Sequence, residues 1–211
     1  GDAATDLDAL LASVDVVDIT ARMIDDHVIR SIEDGLETML GDLPRAHWNM
    51  QYELADARAA LGLYQRALDS GRRAVELAGR IDPPDHRAVA ESMNHVLLML
   101  TYQGELGEAE ATVEALTALA DRHLDPGDEL HETIAFNRIL VVEMARRFEE
   151  AATLWAEHLA MLESAPERDE EAIIDTTRSL ATCLTRLERY QEAAALQGRV
   201  LEFRLAIYGP D

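Results

Sequence analysis

The chain has 211 residues, of which 48% are hydrophobic and only 5% aromatic, and its 41 acidic residues outnumber 19 basic ones. The resulting net charge of -22 repels phosphate backbones and anionic lipid, which disfavours generic nucleic-acid binding and argues against docking on an anionic membrane surface. No apolar stretch reaches the roughly 18 residues of a membrane span, and the single cysteine, Cys183, excludes an internal disulfide. We therefore expect a cytoplasmic chain, with a membrane-anchored parent protein as an open alternative.

The first 45 residues differ from the rest, and we interpret them as an N-terminal helical segment that is a partial repeat or cap. "DLDALLASVDVVD" predicts a short helix and a connector, and a longer helix is predicted from Asp18 to Asp42. In this longer helix, one face carries large apolar residues, which we expect to pack against the rest of the chain. The face consists of Ile24, Val28, Ile32, Leu36 and Met39.

Residues 46–211 repeat at an interval of 42. "GLYQRA", "GELGEA", "RRFEEA" and "ERYQEA" are in register, with an aromatic residue or leucine at Tyr64, Leu106, Phe148 and Tyr190. An alanine recurs three residues later, at Ala67, Ala109, Ala151 and Ala193. Each unit predicts two amphipathic helices joined by a tight turn, and the four units span about 46–85, 86–127, 128–169 and 170–211.

The predicted turns need a residue that accepts a left-handed backbone conformation. Gly62 and Gly104 supply it in the first two units, whereas Arg146 and Glu188 stand at the same position in the others. Those two turns must find another cap or accept strain. The recurrent alanine follows the turn, where only a small side chain lets two antiparallel helices approach closely.

This helix-turn-helix pattern resembles the tetratricopeptide repeat, in a 42-residue form similar to that of kinesin light chains. The resemblance extends to repeat regions appended to bacterial eukaryote-like serine/threonine kinases, and it covers residues 46–211. It implies an all-α fold, namely a right-handed α-solenoid of antiparallel helix pairs. It also implies a non-catalytic interaction module of a larger bacterial regulatory or signalling protein. Arg138 departs from the pattern, because the family has leucine at that position.

In the family, the first helix of each unit lines a concave groove that binds a protein or peptide segment. Asparagine can both donate to and accept from a peptide backbone, and tyrosine gives contact area with few rotatable bonds. The acidic surface is compatible with a basic partner. Carried over by register, the candidate groove residues are Tyr52, Asp56, Asn94, Leu98, Tyr102, Phe136, Asn137, Leu140, Arg178 and Thr182.

We find no catalytic constellation in the sequence and predict neither an enzyme nor a cofactor. His123, Asp125, Asp128 and His131 cluster in one linker, but a solvated loop with helix-capping aspartates explains them better than a metal site does. An enzyme with an unrecognised site stays a minor alternative.

The last helix suggests a second function. Leu201, Leu205 and Tyr208 lie on a stripe distinct from the one that faces the preceding helix, where a further repeat would pack. We read the chain as a fragment cut at a repeat boundary. The uncovered stripe predicts self-association, and a self-associating assembly module is the main alternative to the peptide-binding scaffold.

Overall fold

The computed structural model describes residues 16–166 and 169–209, and this part of the chain contains helices and no strand. The short helix predicted before residue 16 lies outside the described residues. A long N-terminal helix comprises α1 (Val16–Ile24), a π-helical segment (Asp25–Ile29) and α2 (Arg30–Leu40). The remaining helices are α3 (Pro44–Ala60), α4 (Tyr64–Ala78), α5 (His86–Gln103), α6 (Leu106–His123), α7 (Leu130–Met144), α8 (Phe148–Ser164), α9 (Glu170–Arg186) and α10 (Tyr190–Tyr208).

The chain forms two compact units, an N-terminal unit of Gly1–Leu130 and a C-terminal unit of His131–Asp211. In the N-terminal unit, α2 packs on α3, and α3 to α6 pack each on the next. In the C-terminal unit, α9 packs on both α8 and α10. The predicted all-α fold of antiparallel helix pairs is confirmed.

The four tight turns share one backbone structure. Gly62 and Gly104 have φ of 74° and 78°, and the non-glycine residues Arg146 and Glu188 both have φ of 61°. At each turn, the amide that follows this residue donates to a carbonyl five residues back, as Glu105 does to Leu100 at 3.0 Å. This is the Schellman pattern of a helix end. The last two turns therefore keep the left-handed conformation and accept its strain.

The recurrent alanines lie where the paired helices meet. Ala67, Ala109 and Ala151 have no exposed surface, and Ala193 is 3% exposed. Each lies three residues into the second helix of its pair, and its amide donates to the carbonyl of the residue just before that helix. A larger side chain at these positions would push the two backbones apart.

Aspartates cap the helices that follow the linkers. The side chain of Asp85 accepts from the amide of Ala88, and that of Asp169 accepts from the amides of Glu171 and Ala172, all at 3.0 Å. These bonds satisfy amides that have no partner within the helix. In the linker for which capping aspartates were predicted, Asp128 accepts from the amide of Leu130 at 2.9 Å, which confirms the prediction for this residue.

The prediction for the face of the N-terminal helix was wrong. Ile24, Val28, Ile32 and Met39 are between 39% and 77% exposed, and of the predicted face only Leu36 is buried. The helix instead buries Ala21, Asp25, Ile29 and Leu36. Hydrophobicity alone could not identify this face, because an aspartate with no exposed surface lies at its centre and is held there by arginines of α3 and α4.

Candidate interaction surfaces

The N-terminal unit carries five of the ten candidate groove residues. Tyr52 and Asp56 lie one turn apart on α3, and they are half-buried and exposed, respectively. On α5, Asn94 and Leu98 are half-buried, and Tyr102 is 50% exposed. α3 and α5 are the first helices of the first and second repeats. Because these two helices contact each other, candidate residues of both repeats come together within this unit.

Tyr52 lies in a short row of aromatic rings. Its ring centre is 6.0 Å from that of Trp48 and 5.8 Å from that of His95 on α5, which it meets edge to face. Trp48 is fixed in turn, since its Nε1 donates to Ser92 Oγ at 2.8 Å. These contacts hold the Tyr52 ring between the two helices.

The surroundings of Tyr52 are acidic. Partial burial raises the pKa of its phenol, and the negative charges of Glu91, Asp56 and Glu53 raise it further. Burial lowers the pKa of His95, an effect that Asp56 opposes. At neutral pH, His95 is therefore neutral and supplies no positive charge next to the ring.

A second pair of tyrosines lies at the turn end of the same helices. The rings of Tyr64 and Tyr102 are 5.5 Å apart, and the two residues are 41% and 50% exposed. Gln103 Nε2 donates to the carbonyl of Tyr64 at 3.3 Å and ties α5 to the start of α4. The repeat register marks Tyr64 as a recurring aromatic position, but it does not reveal that the ring is exposed.

The C-terminal unit carries the other five candidates, and two of them are largely inside it. Asn137 is 8% exposed, and Phe136 is half-buried with its ring 4.8 Å from that of Trp155. Trp155 has no exposed surface, and its Nε1 donates to Glu143 Oε2 at 2.9 Å. Leu140 is half-buried. Phe136 thus contributes to the core as well as to the surface of α7.

Arg178 and Thr182 on α9 are both exposed. Arg178 forms an ion pair with Asp175 at 3.1 Å, and the Thr182 hydroxyl donates to the Arg178 carbonyl at 3.0 Å. Both side chains are accessible and need no rearrangement of the core to meet a partner.

The predicted stripe on α10 is exposed where the structure describes it. Leu201 is 58% exposed and Leu205 is 44% exposed, whereas Phe203 packs against the core of the C-terminal unit. Tyr208 is the last residue of α10, and its side chain lies outside the described part.

An ion network in the N-terminal unit was not predicted from the sequence. Arg58 Nε donates to Asp25 Oδ1 at 2.6 Å and Arg58 Nη2 to Glu33 Oε2 at 2.6 Å, and Arg66 also bonds Asp25. Gln51 Nε2 donates to Glu33 Oε1 at 2.7 Å. The network joins the N-terminal helix to α3 and α4. Its members lie far apart in sequence, and no periodic pattern reveals them.

The chemistry of the remaining reactive groups is limited. Burial, with Glu143 nearby, raises the pKa of the Cys183 thiol to about 12, so it stays protonated at neutral pH. His123 of the suspected linker cluster stacks on His86 with ring centres 3.7 Å apart. Among the described residues, no group of three or more metal-binding side chains is arranged to hold an ion. Nor does this part of the chain contain a helix long and apolar enough to cross a membrane.

Comparison with known proteins places the fold. No family model matches the chain. No curated protein matches it either. Among solved structures, a variant of a putative kinesin light chain from Podosopora anserina with nearly identical TPR-like repeats has a TM-score of 0.64 at 16% identity, covering 90% of this chain and 93% of that chain.

Two further solved structures are similar as well. MamA from Desulfovibrio magneticus RS-1 gives a TM-score of 0.58 at 16% identity, covering 92% of this chain and 98% of that chain. BtubC from P. vanneervenii gives a TM-score of 0.55 at 15% identity, covering 87% of this chain and 91% of that chain. At these identities the likeness concerns the fold alone. The chain therefore has a tetratricopeptide-like repeat fold.

Proposed function

We propose that the chain is a non-catalytic scaffold that binds a peptide or protein segment on the exposed faces of its first helices. The observation that carries this proposal is the surface of α3 and α5, where the half-buried Tyr52 and Leu98 and the exposed Asp56 and Tyr102 combine aromatic, apolar and charged groups. Repeat folds offer such wide surfaces and few enclosed polar pockets. A basic partner suits the net charge of -22.

The cellular location and the parent protein are part of the same proposal. We propose a cytoplasmic repeat region of a larger bacterial regulatory or signalling protein, with a kinase as one candidate parent. A non-catalytic role is supported by the protonated thiol of Cys183 and by a sequence without a recognisable catalytic constellation. Of the candidates in the C-terminal unit, Phe136, Leu140, Arg178 and Thr182 belong to the binding surface in this proposal. Asn137 is left out of it, because its side chain lies inside the unit.

Site-specific crosslinking in cells tests the scaffold. A photoreactive amino acid in place of Tyr102 or Arg178, both exposed on first helices, should give a discrete crosslinked partner band. The same amino acid at Glu114, exposed on the second helix α6, is the control and should give none. Crosslinks at Glu114 alone would move the binding surface away from the first helices and contradict the proposal.

Self-association is the second candidate function. It is supported by the exposure of Leu201 and Leu205, two large apolar residues one turn apart on α10. A helix face of this kind buries its apolar area when two copies meet.

A further inference from the structure

The N-terminal unit is the more acidic of the two. Residues 1–130 contain 26 acidic residues and 10 arginines, whereas residues 131–211 contain 15 and 9. A cationic partner is therefore attracted first to the N-terminal unit, and the potential there is strongest where carboxylates have no intramolecular cation beside them.

Tyr52 lies at such a place. Glu53 and Asp56 are exposed on α3, and among the described residues no arginine forms an ion pair with either of them. The third neighbouring carboxylate, Glu91 on α5, is held by Arg87 at 2.9 Å. Two carboxylates thus remain available to an external cation next to a half-buried aromatic ring.

A second observation comes from His95, which contacts the same ring. It is 6% exposed, and its Nε2 has no hydrogen-bond partner among the described residues. Its imidazole is neutral at neutral pH, because burial lowers its pKa. His95 therefore supplies no positive charge at the ring of Tyr52, and the charges that act on this ring are those of carboxylates.

Resting on the proposed function, we infer that the partner segment presents an arginine side chain to the surface formed by Tyr52, Glu53 and Asp56. A guanidinium group stacks on an aromatic ring and still donates to a carboxylate through its remaining N–H groups. It is also less strongly hydrated than an ammonium group, so it loses less on entering a half-buried surface. Tyr102 and Leu98, farther along α5, are left to contact the neighbouring residues of the segment.

The experiment uses the 211-residue chain with labelled tyrosine rings and follows the Tyr52 signal by NMR. The probe is N-acetyl-arginine amide, and its neutral isostere is N-acetyl-citrulline amide. The Tyr52 signal, assigned by its loss in Tyr52→Phe, should shift saturably with the arginine probe and not with the citrulline probe. In the double variant Glu53→Gln/Asp56→Asn, the affinity for the arginine probe should fall by about fivefold or more.

A matched double variant controls for net charge. Glu105→Gln/Glu114→Gln also removes two exposed carboxylates from the N-terminal unit, on and next to α6, and should leave the affinity unchanged. If both double variants lost the same affinity for the arginine probe, the overall negative charge would explain the binding, and the proposed site would be overturned. Equal binding of the citrulline probe, or no Tyr52 shift with either probe, would overturn the arginine assignment. Crosslinking at Tyr102 reports separately on the scaffold, so it can succeed when this inference fails.

Discussion

Glu188 and Gly104 occupy the same turn position, and both have a left-handed backbone conformation. Only glycine adopts this conformation without steric cost. The left-handed conformation costs a non-glycine residue about 1–2 kcal/mol. Glu188 also places a negative charge at the end of α9, where the helix dipole disfavours it. We expect Glu188→Gly to raise the free energy of unfolding by about 1 kcal/mol, as measured by urea denaturation.

The reverse change at Gly104 provides the control. An added Cβ there meets no atom within 4 Å, so Gly104→Ala tests the backbone conformation alone. It should lower the free energy of unfolding by about 1 kcal/mol. A neutral Gly104→Ala variant would show that the turn relaxes and that Glu188 is not strained.

The recurrent alanine makes a second prediction at the residue scale. Ala109 has no exposed surface at the junction of α5 and α6, so Ala109→Leu should overpack it and cost about 1–3 kcal/mol of stability. Ala115 lies on the same helix but is exposed, and Ala115→Leu should change the melting temperature little. Equal melting of both variants would mean that Ala109 is not at the close contact.

At the scale of elements, the buried ion network holds the N-terminal helix on α3 and α4. Arg58→Met leaves Asp25, which has no exposed surface, with Arg66 as its ion-pair partner, and it leaves Glu33 with the hydrogen bond from Gln51. Removing one partner of a buried pair typically costs about 3–5 kcal/mol, because the other charge stays desolvated. We expect a loss of this order in chemical denaturation.

The exposed ion pairs between helices offer a contrast. Arg73 on α4 pairs with Glu37 on α2 at 2.8 Å, and Arg72 on α4 pairs with Glu108 on α6 at 2.6 Å, each over a separation of 36 residues. Because both pairs are accessible to water, Arg73→Met should cost no more than about 1 kcal/mol. A larger cost for Arg73→Met than for Arg58→Met would contradict the ranking.

The same network predicts a dependence of stability on pH. Burial raises the pKa of Asp25, but hydrogen bonds from Arg58 and Arg66 outweigh it and leave the pKa below its ordinary value. The pKa of Asp25 is lower in the folded state than in the unfolded state. The ionised Asp25 therefore contributes its full stabilisation above its unfolded pKa of about 3.9. This stabilisation is lost as the pH falls through the folded value.

The measurement compares unfolding free energies below about pH 4 with those at pH 6. The wild type should lose stability more steeply with acid than Asp25→Asn, whose side chain does not titrate. The pKa of Glu33 is also lowered in the folded state, so Asp25→Asn should keep part of the dependence of stability on pH. Identical slopes would show that Asp25 is not stabilised as an anion.

At the scale of the whole molecule, the uncovered face of α10 determines the expected behaviour in solution. Leu201 and Leu205 should drive concentration-dependent association, which sedimentation velocity measures. Leu201→Glu with Leu205→Glu should give a monomer, because it places charge on the buried face of the contact.

The control adds the same two charges elsewhere. Ala111→Glu with Ala115→Glu, at exposed positions of α6, should leave the association intact. A wild-type chain that stays monomeric at high concentration would contradict the self-association proposal, whereas dissociation in both variants would point to general charge repulsion.

The sequence by itself determined the repeat and therefore the helical pairs. The second helix of each pair begins at one of four residues spaced 42 apart, namely Tyr64, Leu106, Phe148 and Tyr190. The sequence reveals these starts because turn residues and apolar spacing depend only on a few neighbouring residues. The candidate groove residues could be proposed from the same register, and their binding role stays a prediction.

Tertiary structure alone decided which groups meet across helices. It buried Asp25 between two arginines, left Ile24 and Val28 exposed, and exposed the Tyr64 and Tyr102 ring pair. None of this follows from periodicity, because burial of a charge depends on partners distant in sequence that compensate its desolvation. Exposure of an aromatic side chain likewise depends on which neighbouring helix covers it, and only packing settles that.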